Sequence, residues 1–403
     1  MLPPPLTLAA IEDSLAEIQR ESRAPHFSID IATVLRLRSA PLYESSLFYW
    51  LITAWHKEPA ASFEIISESK DERKLLEQCA QFLAGRALVL FPHGRISSVS
   101  RKTSALVRDL LLQQQRSWPD LAVSSSASLF CVDDYPDGLP ERLYSNTETQ
   151  QVVDWAGFRS LVGKLITAIT DDIDARSSLQ SNLDSLSTIL HEFFKNTHQH
   201  ARHWISGERF SSSVRGLYAK YYAASELGHR EEGAHPNAAT QVDSYVAALI
   251  EATRLRPAER HRQPIQLRGL LELTVFDTGP GLAQRWLNRA TNDLPAQDEY
   301  DAVIKCFQKG RSSLPDGNRG YGLWKVLSIL RERRAFLRVR TNRANLYRDF
   351  WRFGDYSLTE TAFGREVPTE ALFDWNKGLT TRVSDYAPVR GSVISVLLPV
   401  GNL

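Results

Sequence analysis

The chain has no long hydrophobic run. Its most apolar stretch, Leu47–Trp55 (LFYWLITAW), is about half the length needed to cross a bilayer, so it reads as a buried helix. Cysteine is scarce. The three residues Cys79, Cys131 and Cys306 lie far apart and match no metal-ligand spacing. That rules out a disulfide framework and makes a reducing cytoplasm the expected compartment. Neither sign of charge dominates: 48 Lys and Arg stand against 47 Asp and Glu, a formal charge of +1. Composition therefore points to no nucleic-acid or membrane partner. The start, Met1-Leu-Pro-Pro-Pro-Leu6, lacks the basic residues and apolar core of a secretory signal. Internal repeats and low-complexity tracts are missing as well.

What is present suits a globular α/β protein. A length of 403 residues at 43% hydrophobic content allows two or three domains. Residues 1–150 read as a smaller mixed α/β domain of unknown role. Helical spacing appears at Leu6–Arg20 and Glu72–Leu83, and strands are expected at Ser62–Ile66, Ala87–Phe91 and Ser128–Val132. Asp133-Asp134 reads as a solvated turn, with a cation site as the alternative. Residues 151–180 form a connecting helix, with apolar periodicity from Phe158 to Ile173. A third unit, 181–403, opens with a helix over Ser181–His203. A polar stretch at about 202–268 looks like an insertion carrying one helix, Val242–Leu255. The strand Leu270–Phe276 follows, then a loop-rich segment at about 282–319, a helix over Leu323–Arg333, and strands at Ala335–Thr341 and Ser392–Pro399.

Chemistry concentrates in three short blocks of that third unit. In Glu192-Phe-Phe-Lys-Asn196, with His200 beyond, three polar residues stand four apart on one helical stripe beside the apolar one. A carboxylate on a rigid helix can orient and deprotonate water, and an amide oxygen one turn on is a hard neutral ligand suited to Mg²⁺. Asp277-Thr-Gly279-Pro-Gly281 ends a strand. Its glycines permit close approach by a flat ring, and its carboxylate can accept a hydrogen bond from the exocyclic amine of adenine. Arg319-Gly320-Tyr-Gly322-Leu323 opens directly into a helix, whose free N–H groups and dipole favour an anion, with Arg319 and Lys325 adding charge. Each block alone has a plainer reading: a solvated helical pair, a hairpin turn, an ordinary glycine turn before a helix. The clustered His191, His198, His200 and His203 also permit a metal site, but no cysteine or flanking acids support it.

In this order the blocks resemble the motif set of the GHKL superfamily, the ATPases and kinases that include gyrase B, Hsp90-type chaperones, histidine kinases and MutL. HEFFKNTHQHA is similar to the N box, VFDTGPGL to the first glycine box and GNRGYGL to the second. Cys306-Phe307-Gln-Lys-Gly310 resembles the phenylalanine-containing stretch of the histidine-kinase ATP lid, and GSVISVLLPV the final strand. The resemblance covers roughly residues 180–400 and implies a Bergerat-type α/β sandwich, a mixed sheet with helices on one face. It further implies ATP with Mg²⁺ as ligand: Glu192 as general base, Asn196 on the metal, and Asp277 on adenine. Gly279 and Gly281 would line the base pocket, Gly320 and Gly322 would approach the phosphates, and Arg319 and Leu323 of the same block would join the nucleotide site; His200 could contact a phosphate, cap the helix or lie at the surface.

This sequence departs from the pattern in places. Asn318 replaces a glycine, the interval from His200 to Asp277 is long, and no phosphoacceptor histidine box lies upstream. The expected activity is slow ATP hydrolysis serving as a conformational switch, with a homodimer or protein partner, in signalling or defence. Two alternatives stand beside it. One is a protein kinase acting in trans on His, Ser or Thr. The other is a nucleic-acid-associated ATPase, raised by the run from Arg331 to Arg352 with Phe336, Tyr347, Phe350 and Trp351 beside it. For that run the plainer reading puts the arginines on the solvent side of a strand and Leu337 and Val339 on the core side.

Overall fold

The computed structural model describes residues 7–20, 26–57, 62–91, 95–116, 125–133, 135, 137–210, 213–227, 240–254, 266–291, 293–311, 320–353, 371–378 and 380–402. The fold is mixed α/β. The first part comprises α1 (Leu8–Arg20), β1 (His26–Asp30), α2 (Ile31–Leu37), α3 (Tyr43–Lys57), β2 (Ser62–Ile66), α4 (Glu72–Cys79), α5 (Leu83–Leu90), β3 (Arg95–Ile96) and α6 (Arg101–Arg116). Strands β1, β2 and β3 pair in parallel, in that order. Two of these helices start where the sequence supplies a cap. Asp30 accepts from the amides of Ala32 and Thr33 ahead of α2, and Asp71 from those of Arg73 and Lys74 ahead of α4. Ala87–Phe91 is not the strand expected from its apolar run. Residues 87–90 complete α5, buried all round, and periodicity cannot separate a buried strand from a buried helical turn.

The remaining elements are β4 (Ser126–Val132), β5 (Tyr144–Asn146), β6 (Gln151–Val152), α7 (Trp155–Ile169), α8 (Ile173–Ser181), α9 (Leu183–His200), β7 (Val214–Ala223), α10 (Gln241–Arg254), β8 (Gln266–Asp277), α11 (Leu282–Leu287), α12 (Ala296–Phe307), α13 (Gly322–Glu332), β9 (Phe336–Asn342), β10 (Ala344–Asp349), α14 (Phe350–Phe353), β11 (Phe373–Asp374) and β12 (Val389–Asn402). Seven strands form one sheet in the order β11-β10-β9-β12-β8-β7-β4. Every pairing in it is antiparallel, so the sheet is not the mixed one expected.

Two strands lie where the sequence suggested something else. β4, grouped above with the N-terminal unit, is an edge strand of the large sheet, and β7 runs through the supposed insertion to sit between β8 and β4. The loop-rich segment after residue 282 holds α11 and the twelve-residue α12, which begins after Pro295 with Asp298 and Glu299 in its first turn.

Both faces of the sheet are covered. Alternation along β8 divides its residues: Leu271, Leu273 and Val275 join the core under α7, α9 and α13, while Phe276 packs toward the first part of the chain. The Phe276 ring lies 4.2 Å from that of Phe48 on α3 and 5.0 Å from that of Phe130 on β4. Burying each such ring stabilises by about 1.5–3 kcal/mol. Helices on one face alone, as expected, would leave this second core open to water.

Two arginines of the run, Arg338 and Arg340, belong to the same second layer, which corrects the reading that puts them on the solvent side. Arg338 and Arg340 alternate with Leu337 and Val339 as expected, but they face the partly buried Glu12 on α1 rather than solvent. Glu12 also accepts from Tyr49 Oη at 2.7 Å and Asn345 Nδ2 at 3.1 Å. Burial alone would push the Glu12 carboxyl up, yet Arg340 and Arg338 outweigh it and hold the group below its ordinary value. Arg348 is buried as well, and Arg343 pairs with Glu299 at 2.7 Å. Phe336, Tyr347 and Phe350 are buried and offer no stacking platform. No described helix is long and apolar enough to cross a membrane.

Candidate functional site

Helix α9 presents its row as the 3.6-residue period requires. Leu186, Ile189, Leu190, Phe193 and Phe194 are buried in the core, and Glu192, Asn196 and His200 on the neighbouring stripe line one cavity of about 430 Å³. Asp277, Gly281, Gly320, Gly322 and Leu323 line the same cavity. Three blocks separated by up to 130 residues of sequence thus meet at one place. Arg319 lies outside the described residues, as do Gly317 and Asn318.

The Asp277 turn is pinned from below. Thr278 bonds Val214 at the start of β7 in both directions, its amide at 2.9 Å and its hydroxyl accepting at 3.0 Å. Asn342 Nδ2 donates to Pro280 O at 2.8 Å, and the Leu282 amide donates to Thr341 Oγ1 at 3.0 Å. The glycines have distinct duties. At Gly279 a Cβ would stand 2.6 Å from Ala201 Cα, so the turn sits flush against the end of α9, behind the cavity lining. Gly281 has φ +89° and Gly320 φ +90°, left-handed values that favour glycine. At Gly322 a Cβ would crowd Glu192 Oε2, so the carboxylate lies against the first turn of α13. That helix has no side-chain cap at Tyr321, so its first-turn N–H groups lack a capping acceptor, and Tyr321, Gly322 and Leu323 line the cavity.

The two carboxylates differ in their electrostatics. Asp277 is 6% exposed, and burial pushes its carboxyl up to about 7. The amides of Gly279 and Ser392, with Arg390 and Arg215, pull the other way without cancelling the burial. Asp277 Oδ1 accepts from the Gly279 amide at 2.9 Å. A group poised there binds its proton or a ligand donor with similar ease near neutrality. Glu192 is held below its ordinary value. The His191 side chain is the main cause, and Lys195 and Lys325 add to it against the partial burial of Glu192. An ionised, half-buried carboxylate beside a helix N-terminus can accept a proton from water.

Several lining residues carried no assigned role in the sequence. Lys195, Arg285 and Arg311 give the cavity three cations on three segments, and Gln199, Trp286, Cys306, Tyr321 and Ser392 line it as well. Lys195 could have been found as the α9 residue beside Asn196, and Arg285 as a cation one turn into the helix after a glycine turn. Arg311 lay in the noted basic stretch Lys309-Gly-Arg. Trp286 gave no signal beyond its type. The Cys306 thiol is half-buried, and desolvation pushes it up to about 12, which disfavours the thiolate near neutrality.

Asp133 is no solvated turn residue. Its side chain is 1% exposed and accepts from Arg215 Nη1 at 2.7 Å, while Asp134 lies outside the described residues. Among the described residues no group of three or more His, Cys, Asp or Glu is disposed to hold a metal ion. His198 contacts Tyr144 Oη at 3.2 Å and is lowered to about 4 by burial, with Arg215 and Arg202 adding to the shift. Any cation in the cavity would therefore rest on Asn196, the neighbouring Glu192 and the ligand's own oxygens.

No protein-family model, curated protein or solved structure matches this chain.

Proposed function

We propose that the cavity binds ATP with Mg²⁺ in a Bergerat-type manner, and that the chain hydrolyses it slowly as a conformational switch. The observation that carries this reading is the convergence of Glu192, Asn196, Asp277, Gly281, Gly320 and Gly322 on one 430 Å³ cavity. That volume lies within the roughly 300–1,000 Å³ of small-molecule sites. The donor set suits the ligand. Asp277, at the floor, offers the acceptor that an exocyclic amine needs, and Lys195, Arg285 and Arg311 supply charge for phosphates. Asn196 would hold the magnesium ion, which would draw charge from the phosphate oxygens. At the mouth of α13 the free N–H groups would meet the terminal phosphate, and Glu192 would take a proton from water there.

Burial of Arg338 and Arg340 under the first part of the chain, and of Arg348 beside Phe350 and Phe373, weighs against a nucleic-acid track along those strands. Binding and turnover of ATP by the parent, Glu192→Ala and Asp277→Asn test the reading. Glu192→Ala should bind ATP while phosphate release falls by roughly 10²–10⁴-fold, and Asp277→Asn should lose binding. Two variants indistinguishable from the parent would overturn the assignment. Label from ATP appearing on protein rather than as free phosphate would replace the switch with a kinase.

A further inference from the structure

We infer that Thr53 on α3 is a positioning residue for the Asp277 pocket: its hydroxyl seats a bulge at Arg390-Gly391 directly behind Asp277. This rests on the nucleotide reading above and extends it to the first part of the chain. Thr53 is buried within the apolar run Leu47–Trp55. Like many hydroxyls inside helices, it donates to the carbonyl one turn back, Tyr49 O, at 2.7 Å. Its oxygen can still accept, and it takes the Arg390 amide at 3.1 Å.

Between β12 and β9, Val389 pairs with Asn342 and Ser392 with Thr341, so Arg390 and Gly391 are extra residues in their strand. Gly391 has φ +74°, and a Cβ there would stand 1.8 Å from Asp277 O. The bulge therefore lies flush on the backbone that carries the carboxylate. Ser392, the next residue, pairs with Asp277, directs its amide toward that carboxylate and lines the cavity. Any shift of the bulge moves the groups that shape this end of the site. The stretch leading into it is held from the same side. Gln19 on α1 donates to Pro388 O at 3.2 Å, and Arg340, paired with Glu12, donates to Ala387 O at 2.7 Å. The Arg390 guanidinium turns onto Trp204 and Phe210, 4.5 and 4.7 Å from their ring centroids. Its amide is left to tie the bulge to α3. Lys195, Arg285 and Arg311 stand on other segments, so phosphate binding should not depend on this tie.

The test uses the full chain, Thr53→Val and Thr53→Ser, with the affinities of adenosine and of magnesium tripolyphosphate and the melting temperature of each. Valine keeps the shape and removes the acceptor, so adenosine should bind roughly 3–10-fold more weakly while tripolyphosphate binds as before. Serine, which keeps the hydroxyl, should restore adenosine affinity. In the parent, adenosine should slow hydrogen exchange at the Arg390 amide, a readout that needs no variant to fold. If Thr53→Val binds adenosine like the parent, or if that exchange ignores adenosine, the inference is overturned and the nucleotide reading stands. Loss of both ligands together with a lowered melting temperature marks general loosening and overturns it equally. So does a selective loss that serine does not restore, since shape and not the hydroxyl would then be at work. A parent that binds no adenosine ends the nucleotide reading and this inference together.

Discussion

Adenosine binding should weaken about tenfold when the pH falls from 8 to 6, because the charge-assisted hydrogen bond from the adenine amine needs the ionised Asp277 carboxylate. Burial sets that carboxyl at about 7 in the ligand-free protein. One pH unit above this value about nine-tenths of the groups are ionised, and one unit below about one-tenth. The ratio of the two populations is the expected ratio of affinities, worth about 1.4 kcal/mol. Adenosine is the right probe because it carries no phosphate that titrates in this range. Titration calorimetry at several pH values measures the effect directly. Purine riboside, which lacks the exocyclic amine, should bind weakly at both ends of the range. A flat adenosine affinity from pH 6 to 8 would refute the assignment of Asp277 as the amine acceptor.

Three further outcomes follow from the same geometry. Asp277 has a folded value above its unfolded one, so its contribution to stability is full below the ordinary carboxylate range and is lost as pH rises through about 7. Asp277→Asn should therefore raise the melting temperature of the ligand-free protein at about pH 8 while removing nucleotide binding; a lowered melting temperature would contradict it. In Gly322→Ala the new methyl group would collide with Glu192 Oε2, so phosphate release should fall roughly tenfold or more while ATP is still bound. Unchanged turnover would place the carboxylate elsewhere. Glu12→Ala leaves Arg338 and Arg340 buried without their carboxylate and should destabilise by about 3–5 kcal/mol, read as a shift in urea midpoint. A change under 1 kcal/mol would show that water reaches those guanidinium groups.

The site was more legible than the fold around it. Glu192, Asn196 and His200 could be placed on one stripe because helical periodicity alone puts residues four apart on the same side. Asp277 and Gly281 were readable because a strand running into a turn leaves few places for the last side chain, whereas Gly279 stands behind the lining and not in it. Arg285, Arg311 and Trp286 were not, since their convergence depends on how α11 and the segment after α12 fold back over α9. On the fold side, Phe336–Asn342 and the helix from Gly322 agree with their patterns to within a residue or two. Ala87–Phe91 failed because a run apolar on every side has no period to read. The covering of the second sheet face escaped for a subtler reason. Arg338 and Arg340 alternate with aliphatic residues as on a half-exposed strand, and only the distant Glu12 shows that both faces are interior.

That doubly covered sheet limits where the molecule can bend. On one side Glu12 rivets α1 to β9, and the buried Glu272 carboxylate on β8 takes the Leu42 amide at 3.0 Å, joints that would strand charge in a dry interior if they parted. Capture of a ligand between α9 and α13 must consequently be accommodated on the opposite side, by those helices and the segments flanking them. A fragment begun near residue 150 would lack β4 and α3 and would present Phe276, Arg338 and Arg340 to water. The unit from residue 150 onward is no detachable module, because the far face of its sheet is covered by elements from the first hundred residues of the chain.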